Sequence, residues 1–107
     1  MFIIKISEIV GEYCSERKNV GDKKGGQAIR ELIMGFLNKE ERIEISFEGV
    51  KIVTPSFIDE AFGKLALNYP LEKLRKKLFF IGDTSEIKDK INKSVELRIK
   101  QREKDMS

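Results

Sequence analysis

Apolar and polar residues alternate along this chain with two different periods, which predict strands and helices in turn. Residues 2–6, FIIKI, are β-branched and aromatic and are typical of an opening strand. Residues 11–26 are polar and contain several glycines, which indicates a loop with at most a short irregular strand near Tyr13. After Gly26 the apolar positions recur every three or four residues as far as Asn38, so the first helix is predicted there.

The middle of the chain predicts a second strand and a second helix. Residues 42–49, RIEISFEG, alternate strictly between apolar and polar side chains and indicate a half-buried strand. The alternation slips by one position at Gly49, as it does at a bulge or where sheet pairing ends. From Phe57 a more apolar helix is predicted to continue until Pro70 ends it.

The last third predicts one more strand and one more helix. Residues 78–81, LFFI, are typical of a strand covered on both faces, and Asp83 or Thr84 can cap the helix that follows. Residues 100–107 are expected to fray at its end. Because strands alternate with helices, we expect one α/β domain over residues 1–107, with a mixed, mostly parallel sheet of about four strands packed with three helices.

Composition narrows the class of protein. The 107 residues are 40% hydrophobic and 36% charged, which suits a single core. No apolar run reaches the roughly 18 residues of a membrane span, and the N-terminal residues do not resemble a secretory signal, so we expect a cytoplasmic protein without a membrane partner. With no His and only Cys14, the chain cannot build Ser-His-Asp, Cys-His or His-containing zinc sites or an internal disulfide. We expect neither a metal nor a cofactor.

The charge of the chain gives an alternative function. The net charge of +3 arises from 21 Lys and Arg interleaved with 18 Asp and Glu, and by itself it is too small to indicate nucleic-acid binding. Basic side chains do cluster in residues 71–77, LEKLRKK, where they are Lys73, Arg75, Lys76 and Lys77. A basic nucleic-acid-associated domain is therefore the alternative function, and a solvated edge is the plainer interpretation.

Residues 54–56, TPS, stand where the second helix opens, and two roles for their hydroxyls remain open. Thr54 followed by Pro55 fits a helix N-cap with proline in the first turn, while Ser56 and Asp59 have the spacing of a capping box. A hydroxyl at this position is also a candidate for phosphorylation, because a helix start favours negative charge. Ser56 is the better candidate, since Thr54 is expected to serve the turn.

The acidic pair Asp59 and Glu60 follows in the first turns of the same helix. Two carboxylates can act as general acid and base, but consecutive helical residues point about 100° apart. We therefore assign no catalytic residue and expect the protein not to be an enzyme. Residues 21–26, GDKKGG, lack the Gly-Lys-Ser/Thr ending of a phosphate-binding loop, so their glycines are expected to lead the backbone into the first helix.

Residues 44–65 resemble the signature of STAS domains, the fold of bacterial anti-sigma factor antagonists. In those proteins Asp-Ser-Ser-Gly opens a helix, and a partner kinase phosphorylates the first of the two serines. On this chain Thr54 takes the Asp position, Pro55 the phosphorylated serine, Ser56 the second serine and Phe57 the glycine. Since Pro55 cannot be phosphorylated, the switch is missing or has moved to Ser56 or Thr54, and we expect it to be missing.

A divergent branch, the STAS-like domain of unknown function, resembles the chain more closely over roughly residues 20–83. The shared residues are GGQAIRELI at 25–33 and then Ser56, Phe57, Ile58, Asp59, Glu60, Phe62 and Gly63. Members of this branch are found near or fused to GHKL-type ATPases, so the resemblance implies a regulatory protein partner.

Together these features predict a non-enzymatic regulatory module that binds a signalling ATPase-kinase or a similar protein through the start of the second helix. A second copy of the chain, forming a homodimer, is the alternative partner. A sheet cannot cover the whole apolar arc of this helix, so Phe57 is expected to face solvent and to anchor the partner. The expected partner-binding residues are Phe57, Asp59, Glu60, Phe62 and Gly63.

Overall fold

The chain folds into strands and helices of an α/β domain. The computed structural model describes residues 1–82 and 84–106. Within these residues the strands are β1 (Phe2–Lys5), β2 (Tyr13–Cys14), β3 (Ile43–Ser46), β4 (Ile52–Val53) and β5 (Leu78–Ile81). The α-helices are α1 (Ile6–Ile9), α2 (Gly26–Phe36), α3 (Pro55–Ala61), α4 (Leu71–Lys77) and α5 (Ser85–Met106), and a 3-10 helix occupies Gly63–Leu67. The expected alternation is not strict, because β4 follows β3 directly and three helical segments lie between β4 and β5.

The strands form two parallel sheets. The larger sheet has the order β1-β3-β5 and places Phe2, Ile43 and Leu78 side by side. The smaller sheet pairs β2 with β4. The α/β class is confirmed, but the single sheet of about four strands is divided into three strands plus two. The division falls at Gly49, whose φ of 83° turns the chain away after β3, so the predicted slip in alternation marks the end of pairing in the larger sheet.

The core lies between the larger sheet and the helices α2, α3 and α5 together with the 3-10 helix. Strand residues such as Ile4, Ile43 and Ile45 are buried, and helical residues such as Ile29 and Ile33 pack with them. The largest fully buried side chains include two aromatic ones, Phe57 and Phe62.

The expectation that Phe57 faces solvent is wrong, because this side chain is 0% exposed. The expectation assumed that a sheet alone covers the helix, whereas α3 packs against α2 on one side and α5 on the other. These helices bury the part of the apolar arc that the sheet leaves open. Phe62 and Gly63 are buried as well, so neither residue lies on the surface as a partner contact requires.

The predicted second helix is divided into α3 and the 3-10 helix. The change falls at Gly63, where α5 approaches the backbone closely. A Cβ atom at this position would lie 2.6 Å from Asp59 Oδ1 and closer still to Ser94 Oγ. Glycine is therefore required here by packing.

Helix α4 is not predicted by the sequence pattern, which identifies residues 71–77 only as a basic cluster. Leu74 brings it onto the core, where this side chain is buried, and Leu78, the first residue of β5, packs against the core directly after the helix. The Pro70 carbonyl accepts hydrogen bonds from the Lys73 and Leu74 N–H groups, so the proline that ends one helical segment also begins the next.

Helix α5 is capped by Thr84, one of the two predicted caps, whose Oγ1 accepts a hydrogen bond from the Ile87 N–H at 3.2 Å. Asp83, the other predicted cap, lies outside the described residues. Fraying is expected for residues 100–107; of these, residues 100–106 continue the helix, and Ser107 lies outside the described residues. In this part Arg102 Nη1 donates to the Ala66 and Tyr69 carbonyls at 2.9 and 3.2 Å, which fastens the helix to the 3-10 segment.

Cys14 lies in the core at the end of β2. Its thiol donates to the Gly11 carbonyl at 3.6 Å, and burial raises its pKa to about 11. The thiol is therefore protonated and shielded, which makes it a poor nucleophile. Among the described helices there is none that combines the length and the apolar character needed to cross a membrane.

Truncation of Phe57 tests its place in the core. Phe57→Ala removes a fully buried ring and leaves a cavity, so the free energy of unfolding should fall by about 4 kcal/mol in urea denaturation. Val20→Ala, at a side chain that is exposed, is the control and should change it by less than about 0.5 kcal/mol. A Phe57→Ala protein as stable as wild type would place this ring on the surface.

Candidate functional site

The opening of α3 is fixed by Thr54, which follows β4 directly. Thr54 Oγ1 accepts a hydrogen bond from the Phe57 N–H at 3.2 Å, and Pro55 occupies the first turn. The same hydroxyl donates to the Ser15 carbonyl at 3.3 Å. The N-cap interpretation is thus confirmed for Thr54, while the capping box between Ser56 and Asp59 is wrong because Asp59 is directed to other partners. Ser56 remains exposed.

An exposed apolar pair lies beside this helix start. Tyr13 of β2 and Ile52 of β4 are direct partners in the parallel register, and their exposed fractions are 57% and 51%. Ile52 precedes Thr54 by two residues, so the pair adjoins Pro55 and Ser56. The sequence gives little signal for it, because each strand of the small sheet has only two residues and shows no period.

Asp59 is held by side chains from α5 and from the loop before α2. Its Oδ1 accepts hydrogen bonds from Arg98 Nε at 2.8 Å and Ser94 Oγ at 3.0 Å. Its Oδ2 accepts from Arg98 Nη2 and, at 2.7 Å, from Arg17 Nη1. The hydrogen bonds from Arg98 hold the pKa of Asp59 well below its usual range; burial opposes this, and Arg17 and Ser94 add to it.

Glu60 points to the other side of α3 and is 0% exposed. Its carboxylate pairs with Arg30 Nη1 of α2 and lies 2.9 Å from Lys64 Nζ of the 3-10 helix. Arg17 and Lys18 stand 3.7 and 3.8 Å away. Burial by itself raises the pKa of Glu60, but the interactions with Lys64 and Arg30 outweigh it and lower the pKa.

The two carboxylates therefore hold helices together, and the expectation that they contact a partner needs correction. Asp59 joins α3 to α5, Glu60 joins α3 to α2, and Arg17 contacts both. Their divergent directions agree with the angle expected between neighbours on a helix. With both pKa values lowered, neither group is suited to deliver a proton near neutral pH.

The glycine-rich segment before α2 is also committed to structure. The Gly26 and Gln27 N–H groups donate to the Glu16 and Arg17 carbonyls at 2.9 and 2.8 Å. These are the amide groups that a phosphate-binding loop would direct at its ligand, so the expected structural role is confirmed. In the described part of the chain no three acidic or cysteine side chains converge to hold a metal ion.

The basic cluster of residues 71–77 is partly used for packing. Lys73 Nζ donates to Asn38 Oδ1, and Lys77 Nζ donates to the Leu37 carbonyl at 2.6 Å. Both contacts fasten α4 to the end of α2. Arg75 and Lys76 remain exposed.

These features define a small parallel α/β domain in which a capped helix follows a short strand and is fixed by buried carboxylates. Residues 25–88 match the family model of the STAS-like domain of unknown function, and the chain belongs to this family. The matched residues extend from the glycines before α2 to the first turn of α5 and include the motif from Ser56 to Gly63. The resemblance drawn from the sequence is confirmed. Comparison with curated proteins and with solved structures gives no match.

The roles of the two hydroxyls can be separated by substitution. Thr54→Ala removes the side chain that caps α3 and should lower the free energy of unfolding by about 1 kcal/mol. Ser56→Ala should change it by less than about 0.5 kcal/mol, because Ser56 is exposed. Urea denaturation of both variants measures the difference, and a larger loss for Ser56→Ala would assign the cap to Ser56.

The lowered pKa of Asp59 predicts a dependence of stability on pH. A carboxylate whose pKa is lower in the folded than in the unfolded state stabilises the fold above its unfolded pKa, near 3.9, and this contribution is lost as the pH falls further. Asp59→Asn should therefore cost about 3 kcal/mol at pH 7, and its difference from wild type should shrink below about pH 4.

Thermal and urea unfolding between acidic and neutral pH measure this difference. Asp89→Asn, at an exposed carboxylate of α5, is the matched control and should follow the wild-type profile. A constant difference between Asp59→Asn and wild type at every pH would contradict the ion-pair origin of the effect.

Proposed function

We propose that this domain is a non-enzymatic regulatory module that binds a protein partner at the start of α3. The contact region, called here the docking surface, consists of Tyr13, Ile52, Pro55 and Ser56. The exposed Tyr13–Ile52 pair is the observation that carries the proposal. The resemblance to STAS domains and to their GHKL-associated branch favours a signalling ATPase or kinase as the partner.

The docking surface has the composition of an interface centre. Tyrosine is enriched among residues that contribute strongly to binding, because it buries a large area at a small cost in conformational entropy. Tyr13 and Ile52 lie directly opposite each other, so they form one continuous apolar area instead of two scattered side chains.

The docking surface is also held rigidly. Thr54 fixes the entry into α3, its hydroxyl contacts the β2 end of the loop at Ser15, and the core side chain Phe57 lies immediately behind. Rigid surfaces lose little conformational entropy on binding, which favours affinity. Phe57 thus supports the docking surface from inside, in place of the direct contact that the sequence predicts.

The absence of catalysis is part of the proposal and is supported by the state of the acidic pair. Asp59 and Glu60 are the only carboxylates of the motif, and both are ion-paired to neighbouring helices. Ser56 is accessible, and we expect it to stay unphosphorylated, with Pro55 at the position where STAS antagonists carry the modified serine. Binding is then constitutive.

Affinity purification with the tagged full chain tests the proposal. Tyr13→Ser combined with Ile52→Ser should reduce recovery of the partner at least about tenfold, because the central apolar contact is removed. Met34→Ser, at a partly exposed side chain of α2, is the matched control and should leave recovery unchanged. Both proteins should melt within a few degrees of wild type.

Three results would contradict the proposal: no protein recovered above background, equal recovery by the double variant, or hydrolysis by the domain itself of a substrate it captures. Light scattering of the purified chain separates a different protein from a second copy. If the domain is a dimer that the double variant dissociates, the partner is a second copy.

A further inference from the structure

A groove runs between α5 and the start of α3 and opens next to the docking surface. Its volume is about 520 Å³. One wall is a single face of α5, on which Lys90, Lys93, Leu97 and Gln101 recur every three or four residues. The opposite wall contains Pro55 and Ser56, so the groove and the docking surface share these two residues.

The groove carries an excess of positive charge. At its base Asp59 is the single carboxylate, and it is contacted by two guanidinium groups, those of Arg17 and Arg98. Two lysines add to them along the α5 wall. Lys90 lies 3.2 Å from Glu86 and donates to the Val53 carbonyl, whereas Lys93 makes no hydrogen bond or ion pair with any described residue.

The contacts of Asp59 show that the base of the groove binds a carboxylate. Its carboxylate receives four hydrogen bonds there, from the two arginines and from Ser94. This site is filled by the chain itself. Lys90 is used within the chain as well, by Glu86 and the Val53 carbonyl. The charge left over lies at Lys93, which is exposed and can pair with a carboxylate from another molecule.

The length of the groove suits a ligand in an extended conformation. From Lys90 to Gln101 the helix rises about 16 Å, which equals roughly five residues of extended chain. Leu97, whose side chain is 57% exposed, follows the two lysines along this wall, and Pro55 also lines the groove. Because charged and apolar surface lie next to each other, the groove suits a chain with several groups better than a single oxyanion.

We propose that this groove binds an acidic segment of the partner protein, about five residues long, with a carboxylate at Lys93 and an apolar side chain against Leu97. The inference rests on the proposed function, since it assigns the chemistry of a partner that meets the docking surface. Because Pro55 and Ser56 belong to both the groove and the docking surface, one partner can cover the two together.

Titration of the full ¹⁵N-labelled chain with a synthetic peptide tests the groove without the partner. The probe is a nine-residue peptide of Asp and Glu with one central Leu, and its control replaces Asp and Glu by Asn and Gln. The acidic peptide should shift the amide resonances of Ser56, Lys93 and Leu97, and the amide control should not. No shift at millimolar acidic peptide would overturn the proposal.

Two substitutions that change the net charge by the same amount test where the acidic peptide binds. Lys93→Glu should weaken the peptide affinity about tenfold, because it reverses the unpaired cation of the groove. Lys88→Glu, at an exposed residue of the same helix outside the groove, should leave the affinity within about twofold. Leu97→Ser should weaken it about threefold. Equal effects of Lys93→Glu and Lys88→Glu would show that the peptide affinity depends only on net charge. That result would refute the proposal that the peptide binds in the groove.

Other ligands serve as competing outcomes. If inorganic phosphate moves the same resonances with equal affinity, the groove is a simple oxyanion site and the proposal is wrong. If duplex DNA binds there more tightly than the acidic peptide at the same salt concentration, the nucleic-acid alternative replaces it.

The same variants separate this inference from the proposed function. If Lys93→Glu leaves partner recovery unchanged while Tyr13→Ser with Ile52→Ser abolishes it, the partner binds but the groove is not used. If the peptide binds as expected and no partner is recovered, the chemistry of the groove stands and the proposed function fails.

Discussion

The placement of two consecutive carboxylates on α3 is the constraint on which the helical layer depends. A buried charge is costly unless it is paired, so Asp59 and Glu60 require cations at fixed positions on both sides of the helix. Arg98 must come from α5, and Arg30 from α2. Removing either carboxylate leaves cations facing one another at a short distance, and the helices around α3 then lose the charge that holds them in place.

This constraint also explains why the surface at the start of α3 is available for binding. The residues of the motif that are large or charged are turned inward, where they pack or form ion pairs, and only Pro55 and Ser56 remain outside with the neighbouring Tyr13 and Ile52. The motif therefore specifies the support of the surface, while the surface itself is supplied by the small sheet and by the first two residues of α3. Members of a family built in this way can keep the motif and still differ in what they bind.

The sequence is sufficient to predict the strands and helices named below, and insufficient to predict the contacts between them. Period and capping residues predict β1, β3, β5, α2 and the opening of α5, because these signals are local. Exposure of Phe57 is mispredicted because it depends on α5, whose packing against α3 is not visible in the period of either helix. The partners of Asp59 are missed for the same reason, since Arg98 and Arg17 are distant in sequence and surface lysines and arginines look alike in composition. Gly63, by contrast, is a local signal of close packing.

The register of the sheets has a consequence for synthesis of the chain. Each strand pair in the two sheets is parallel and joins segments roughly forty residues apart, so the described strands β1 to β5 cannot pair early with a neighbouring segment of the chain. The apolar β1 leaves the ribosome before the other strands and has no partner until β3 emerges, and the larger sheet is complete only after β5. Arg98, which neutralises Asp59, comes later still. During this interval β1 has no strand partner, and Asp59 of α3 lacks its pairing with Arg98. Both can form non-native contacts, so the nascent chain is more vulnerable to aggregation than the finished domain.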